Sequence, residues 1–499
     1  MFGNLLSARR AVLVSLTSLC FLTVDALAAP GAANPADRVV SGDAALEDVA
    51  LMREAFERIH PGYERYTDRA ELDAAWDRLR SVVANGTTVG DFYIETQRTL
   101  TTIRCDHTKA ELPNDLAKDR NATPVYLPFK WLLVEGRGFV TGAPEGSPFH
   151  RFDEILAIDA RPLSEIVDDV APLIPVDGYT EWARRTGISQ SNEFRGGAVD
   201  HFGALIFDIE PTVSVTVRTK DGTEKTYSVT RVTYDDYKDI QQPRQPARNF
   251  KDAVTFERIG ETAAYIRVDT FVNYRDVVDP DDLYDPVFDA FKREGRDTLI
   301  LDLRVNGGGS TDAAQGLTRR LITEPTRLVL EARVATIDHS GLEDHISTWD
   351  KKALNPPRIA FRKNDDGTYS LRRAFDEGLR VSKPTRNAFD GKLIILTSTD
   401  NSSGSTNLIS VLKGLGRATL IGERTGGAPN GATAGVIFTL TAPNSGIRTR
   451  IPVFRYVNNV QGIPDGYGLE PDIATPLTVD AFLDGRDPAY DAALALIGE

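Results

Sequence analysis

Sulfur is scarce in this chain: its 499 residues contain two cysteines, Cys20 and Cys105, and two methionines. Cys20 falls inside a leader-like N-terminal segment, so a matured chain would keep Cys105 alone and no internal disulfide is expected. Histidines number six, His60, His107, His150, His201, His339 and His345. None of them stands with another His or Cys at a metal-ligand spacing, so no metal and no cofactor is expected. No stripe of Lys and Arg with interleaved aromatics occurs, and the formal charge is −14 with a pI of ≈ 5.1. Nucleic acid and anionic membrane surfaces are therefore not expected partners.

What is present is an ordinary globular composition, 41% hydrophobic and 26% charged, in a chain long enough for about three domains. The first residues carry Arg9 and Arg10, an apolar stretch from Ala11 to Val24, and small residues around Ala26 and Ala28. That pattern predicts a signal peptide over residues 1–29 and an exported protein, periplasmic or secreted. The apolar stretch is short for a membrane span and ends at Asp25, so no stable membrane insertion is expected after cleavage.

Residues 30–120 read as a small helical cap: LEDVALMREAFERIH, AELDAAWDRLRSVV and VGDFYIETQRTLTTI each show helical spacing of apolar residues and are separated by short breaks. Residues 121–250 switch to short strand-like runs, with an alternating hairpin around Asp221 and Gly222. Within them FDEILAIDARPLSEI resembles the strand, turn and helix of PDZ domains in secreted proteases, with Ala160 where those usually have glycine. An insert from Val176 to Ala204 has no clear pattern. A PDZ fold binds peptides by adding a strand to a sheet edge, and Gly136, Gly138 and Phe139 in the GRGF run are the candidate peptide-binding loop, with a plain hairpin turn as the competing reading. From residue 251 to 499 strands and helices alternate, the signature of an α/β core with a largely parallel sheet, interrupted by an irregular stretch from Asp338 to Gly391.

Two segments of that core carry chemistry. Strand TLILDL runs into the glycines of DLRVNGGGS, whose backbone amides are free to approach a ligand or simply to turn the chain. Strand LIIL runs into a polar cluster, Asn401 to Thr406, followed by Leu408, Ile409, Leu412 and Leu415 at helical spacing. Ser402, Ser403 and Ser405 therefore lie at a strand-to-helix turn, where serine is a common N-cap and also a well-placed nucleophile.

In their order and setting, DLRVNGGG, LTSTDNSSGST, GRATLIGERTGG and GYGLEPDI resemble the tail-specific, or C-terminal processing, serine peptidases (clan SK). The chain is most similar to the histidine-using branch that includes tricorn core proteases, the chlamydial secreted protease and interphotoreceptor retinoid-binding proteins. The resemblance covers nearly the whole chain after the leader and implies a multi-domain α/β (α+β) protein: a helical N-terminal cap, a PDZ-like β-rich domain and a ClpP/crotonase-like α/β peptidase core. It implies Ser403 as nucleophile, with Ser405 as the alternative alignment because Thr406 replaces the family's acidic residue. The general-base lysine of other members would fall on Ala428, so histidine is implied instead, and His107 in Cys105-Asp106-His107-Thr108 matches the family's segment, with Asp106 replacing a glycine. An imidazole can take the serine proton and return it to the leaving amine. Asp465 matches the triad acid, with Glu470 and Asp472 as rivals, and the amides of Gly308 and Gly404 are the implied oxyanion hole. The activity implied is hydrolysis of polypeptide substrates by an exported serine endopeptidase. Two alternatives stay open: an inactive ligand- or peptide-binding protein on the same fold, and Cys105 as nucleophile. Oligomeric state is not readable.

Overall fold

The computed structural model describes residues 34–191, 193–243 and 245–498; the expected signal peptide lies outside them. Three helices form the cap, α1 (Gly42–Ile59), α2 (Arg69–Val83) and α3 (Val89–Thr101). Each begins on a residue whose side-chain oxygen accepts a first-turn amide: Ser41 from Ala44, Asp68 from Glu71, Thr88 from Asp91. Their apolar stripes, including Met52, Phe56, Trp76 and Leu79, are fully buried. After α3 the chain turns sharply at Arg104, with φ of 58°, and forms a short strand, β1 (Lys109–Glu111).

The β-rich part is an antiparallel sheet of β2 (Lys130–Val134), β3 (Arg137–Gly142), β4 (Glu154–Ile158), β5 (Thr212–Arg218) and β6 (Glu224–Thr230) in that order, with α4 (Leu163–Val170) between β4 and β5. Val213, Val215 and Val217 of β5 point inward while their neighbours face out, as period-two alternation dictates. The insert that lacked a sequence pattern folds into short turns and a helix, Ala198–Ile206, whose Phe202 stacks on Tyr93 of α3. The β-rich part is thereby packed onto the cap.

The α/β core contains β7 (Val254–Ile259), β8 (Ala263–Val268), α5 (Pro280–Glu294), β9 (Thr298–Asp302), α6 (Thr311–Leu321), β10 (Val329–Val334), β11 (Lys392–Thr397), α7 (Ser403–Gly414), β12 (Ala418–Gly422), β13 (Thr433–Thr441), β14 (Arg448–Asn458), β15 (Ile473–Ala474), α8 (Val479–Leu483) and α9 (Pro488–Ile497). Its main sheet has six strands in the order β7-β8-β9-β11-β12-β15, antiparallel only at β7–β8. The apolar runs of β9 and β11 sit side by side at its centre, buried along their length, as inner strands covered by helices must be. Because β9 and β11 are adjacent and parallel, the glycine loop and the serine turn emerge together at the carboxyl edge, where open α/β sheets hold their ligands.

A second sheet joins β13, β14 and β10. Strand β1 of the cap pairs antiparallel with β14, Lys109 against Arg450 and Glu111 against Arg448. One apolar core runs through the cap, the β-rich sheet and this hairpin, with Phe56, Trp131, Val215, Phe438 and Ile451 among its members. The irregular stretch after Asp338 adds short strands, Ile346–Ser347, Phe361–Lys363 and Tyr369–Leu371, to this second sheet.

Candidate active site

Ser403 is the first residue of α7, and its φ is 49°. A non-glycine residue in that left-handed region costs about 1–3 kcal/mol, so its neighbours must hold it there. They do so by close backbone packing. A Cβ on Gly308 would stand 2.8 Å from Ser403 Cβ, and one on Gly427 would stand 2.8 Å from Ser402 Cα. Asn401 ties the two loops together: its Nδ2 donates to Leu303 O (2.6 Å) and Asn306 O (3.2 Å), while its Oδ1 accepts from Ser398 N (2.9 Å). Ser405 is fully buried and receives the Asn401 Nδ2 at 3.2 Å, which removes it as the alternative nucleophile. Thr406, at the position of the implied acid, donates its hydroxyl to Asn401 O (2.9 Å).

The pairing of β1 with β14 brings the end of the cap onto the core, and His107, two residues before β1, reaches the serine. His107 Nε2 lies 3.2 Å from Ser403 Oγ. The carboxylate on the other side of the ring is not Asp465 but Asp106, whose Oδ1 forms an ion pair with His107 Nδ1, off the line of a hydrogen bond. Its Oδ2 accepts the Ser402 hydroxyl. Behind it lies Asp177, from the insert: Asp177 Oδ1 accepts from Asp106 N (3.1 Å) and Oδ2 from Ala428 N (3.3 Å). The expectation for Asp465 is therefore corrected. Its two oxygens take a forked pair from Arg65, at 2.6 and 3.0 Å, and a third bond from Tyr66 (3.1 Å). Arg65 is 4% exposed and needs that carboxylate. The rivals are likewise engaged elsewhere, Glu470 with Arg424 and Asp472 with Lys413.

The glycine loop also differs from the expectation in one residue. Gly308 N donates to Asn306 Oδ1 at 2.8 Å, so that amide is already used. The Gly309 and Gly404 amides have no partner among the described residues, and the two glycines lie close together: a Cβ on Gly404 would lie 3.8 Å from Gly309 N. Gly309 has φ of 141° and presses on the Phe271–Val272 backbone, where a Cβ would come within 2.2 Å. Only glycine fits there. The free pair is Gly309 and Gly404, the second at the positive end of the α7 dipole.

Residues 262–475, which span the glycine loop and the serine turn, match the family model described as peptidase family S41, and residues 123–240 match a PDZ domain model. These matches make the chain a serine-type peptidase with an S41-like core. Among solved structures it resembles mature CPAF at 17% identity and a TM-score of 0.61, covering 91% of this chain and 96% of that one. It also resembles mature CPAF complexed with lactacystin, at 16% identity and 0.59, covering 91% and 97%. At such identities the likeness is one of fold. No curated protein matches the sequence.

In this serine-type peptidase the charges around the serine bear on one another. Burial opposes the imidazolium of His107, but the close Asp106 charge, with help from Cys105, outweighs it and holds the ring well above its usual 6.5. Burial likewise opposes the Asp106 carboxylate, and His107, Ser402 and Asp177 together keep it well below the usual range. Asp177, buried and facing the Asp106 charge, is pushed up to about 7. The ligand-type atoms of Cys105, Asp106, His107 and Asp177 lie within 4.8 Å of one another, with Asp106 and His107 as an ion pair and Asp177 held by the Asp106 and Ala428 amides. Cys105 is 3% exposed, and burial raises its thiol. A neutral, enclosed thiol is a poor nucleophile.

The peptide-binding expectation for Gly136, Gly138 and Phe139 is also corrected. They form the tight β2–β3 hairpin, with Val134 paired to Arg137 and Leu133 to Gly138. A Cβ on Gly138 would collide with Leu163 at 2.4 Å, and Phe139 is buried against Phe482 of α8. The open space lies elsewhere, in a cleft of ≈ 1960 Å³ between the β-rich part and the core, lined by His107, Ser403, Gly309, Leu132 and Trp349 among others. Pairing of β13 with β14 is interrupted between Ala434 and Ile437, and Gly435 and Val436 line the same cleft.

Proposed function

We propose that this serine peptidase is an exported endopeptidase that cuts polypeptide segments with Ser403 as nucleophile, His107 as general base and Asp106 as the acid that orients the ring. The observation that carries the reading is the 3.2 Å approach of His107 Nε2 to Ser403 Oγ, made between residues 296 apart in the chain. In the first half-reaction Ser403 Oγ attacks the scissile carbonyl carbon while His107 Nε2 takes its proton. The carbonyl electrons move to oxygen, and the amides of Gly309 and Gly404 receive that charge. Collapse of the intermediate breaks the C–N bond, His107 gives its proton to the leaving amine, and an acyl-serine remains. Water, activated by the same imidazole, then releases the acid and restores the serine.

The cleft supports a polypeptide substrate rather than a small molecule, since small-ligand pockets run to about 300–1,000 Å³. The interrupted edge at Gly435 and Val436 offers backbone groups for an added strand. Export rests on the leader pattern of residues 1–29, with a periplasmic or secreted destination.

The test is turnover of an unfolded protein substrate by the parent, Ser403→Ala and His107→Ala. Both variants are expected to lose activity by about 10³-fold or more. Unchanged turnover in Ser403→Ala would remove the reading.

A further inference from the structure

Asp177 has no assigned task, yet it is buried directly behind the charge pair that the reading above makes catalytic. Its position is fixed from several sides. The neighbouring Gly178 N donates to Arg104 O (2.9 Å), and Tyr179 N donates to Gly466 O (2.7 Å). Arg104 Nη1 returns a bond to Gly178 O (3.2 Å). The Asp177 oxygens receive the Asp106 amide from the cap and the Ala428 amide from the core. Residue 177 itself falls within the span matched as a PDZ domain. One carboxyl group thus touches the cap and the peptidase core from the β-rich part, at the point where they meet beside His107.

We propose that Asp177 is a positioning residue of the peptidase site, whose protonated carboxyl holds the Asp106 carboxylate in place and whose ionisation sets how tightly His107 keeps its proton. The proposal rests on the Ser403–His107–Asp106 reading. Two carboxyls this close share one proton more readily than they carry two charges. With the proton present, Asp177 is a neutral donor to Asp106, and the imidazole answers to a single carboxylate. With the proton gone, a second negative charge faces the ring and strengthens its hold on the proton that it must release to act as a base. The groups facing Asp177 are Asp106, His107 and Cys105 from the cap loop, Arg65 and Tyr66 from the turn after α1, and only the Ala428 amide from the core loop. Arg65 is already paired with Asp465 and Tyr66 is a phenol held neutral by burial, so neither replaces the proton.

The experiment compares pH profiles of kcat/KM for the parent, Asp177→Asn and Asp177→Ala on one unfolded polypeptide, with Ser403→Ala as blank and thermal melting as a check on folding. Asn keeps the neutral charge, a donor and one acceptor at every pH, and gives up the acceptor for one of the two backbone amides. It is expected to keep kcat within a few-fold and to move the acid limb of the profile to lower pH. Ala removes the donor and both acceptors and is expected to lower kcat about tenfold or more, with KM little changed. A folded Asp177→Asn protein whose acid limb coincides with the parent's overturns the proposal, as does an Asp177→Ala variant with full kcat. An active Ser403→Ala blank would instead overturn the catalytic reading beneath it, so the two failures are told apart.

Discussion

Replacing Asp106 by Asn separates the acid placed beside His107 from the one that the motif suggested. Asn keeps the shape of the side chain but removes the charge that pairs with His107 Nδ1 and the strong acceptor for Ser402. In the Ser-His-Asp template, loss of that charge costs about 10⁴ in kcat. Asp177 remains as a second carboxyl within the 4.8 Å cluster and recovers part of the field, so about 10³ is expected here, or about 4 kcal/mol at 1.36 kcal/mol per decade. Asp465→Asn makes the opposite prediction. It leaves the nearly buried Arg65 short of its carboxylate while touching nothing at the serine. Since Asp465 is 39% exposed, water makes good much of the loss, and the cost is about 1 kcal/mol of stability with kcat within about twofold of the parent. Steady-state kinetics on an unfolded polypeptide and thermal melts of both variants decide it. A variant pair in which Asp465→Asn is inactive and Asp106→Asn is active would refute the assignment of the acid.

Because the His107 proton is held well above the usual imidazole value of 6.5, kcat/KM should go on climbing with pH above that value rather than level off there, since the base works only when neutral; an acid limb that levels off at the ordinary imidazole value would contradict this. Gly309→Ala should lower kcat about 100-fold or more by displacing one of the two free amides, and because the added carbon meets the Phe271 backbone at 2.2 Å it should also lower the melting temperature. Iodoacetamide should leave activity unchanged in the folded protein, as Cys105 is enclosed and its thiol is held neutral; loss of turnover in step with its alkylation would contradict the burial.

Much of this was legible in the residues themselves. Apolar runs such as Leu393 to Leu396 have one comfortable location, the middle of a covered sheet, and the turn that follows them then lies at the sheet's carboxyl edge. The pairing of Ser403 with His107 was visible through motif order. The acid was not, because the choice among Asp465, Glu470 and Asp472 is made by Arg65, Arg424 and Lys413, and Arg65 lies 400 residues from its partner. Asp106 stands where the resemblance has glycine, and that change places a carboxylate beside the His107 ring. Gly308 and Gly309 could not be distinguished without knowing that the Asn306 side chain turns back onto the first amide. Asp177-Gly178 reads in sequence as an ordinary turn, and only the fold carries it to the site. The GRGF run offered both a hairpin and a binding loop, and packing of Gly138 on Trp131 and Leu163 selects the hairpin.

The claim that everything else depends on is that one serine, activated by one histidine across the cap and the core, performs the chemistry. Treatment of the purified protein with a fluorophosphonate, followed by intact-mass measurement and peptide mapping, tests it directly. A single adduct on Ser403 is expected, formed much more slowly in His107→Ala; an adduct on Ser402 or Ser405, or none while hydrolysis of polypeptide continues, would contradict that assignment.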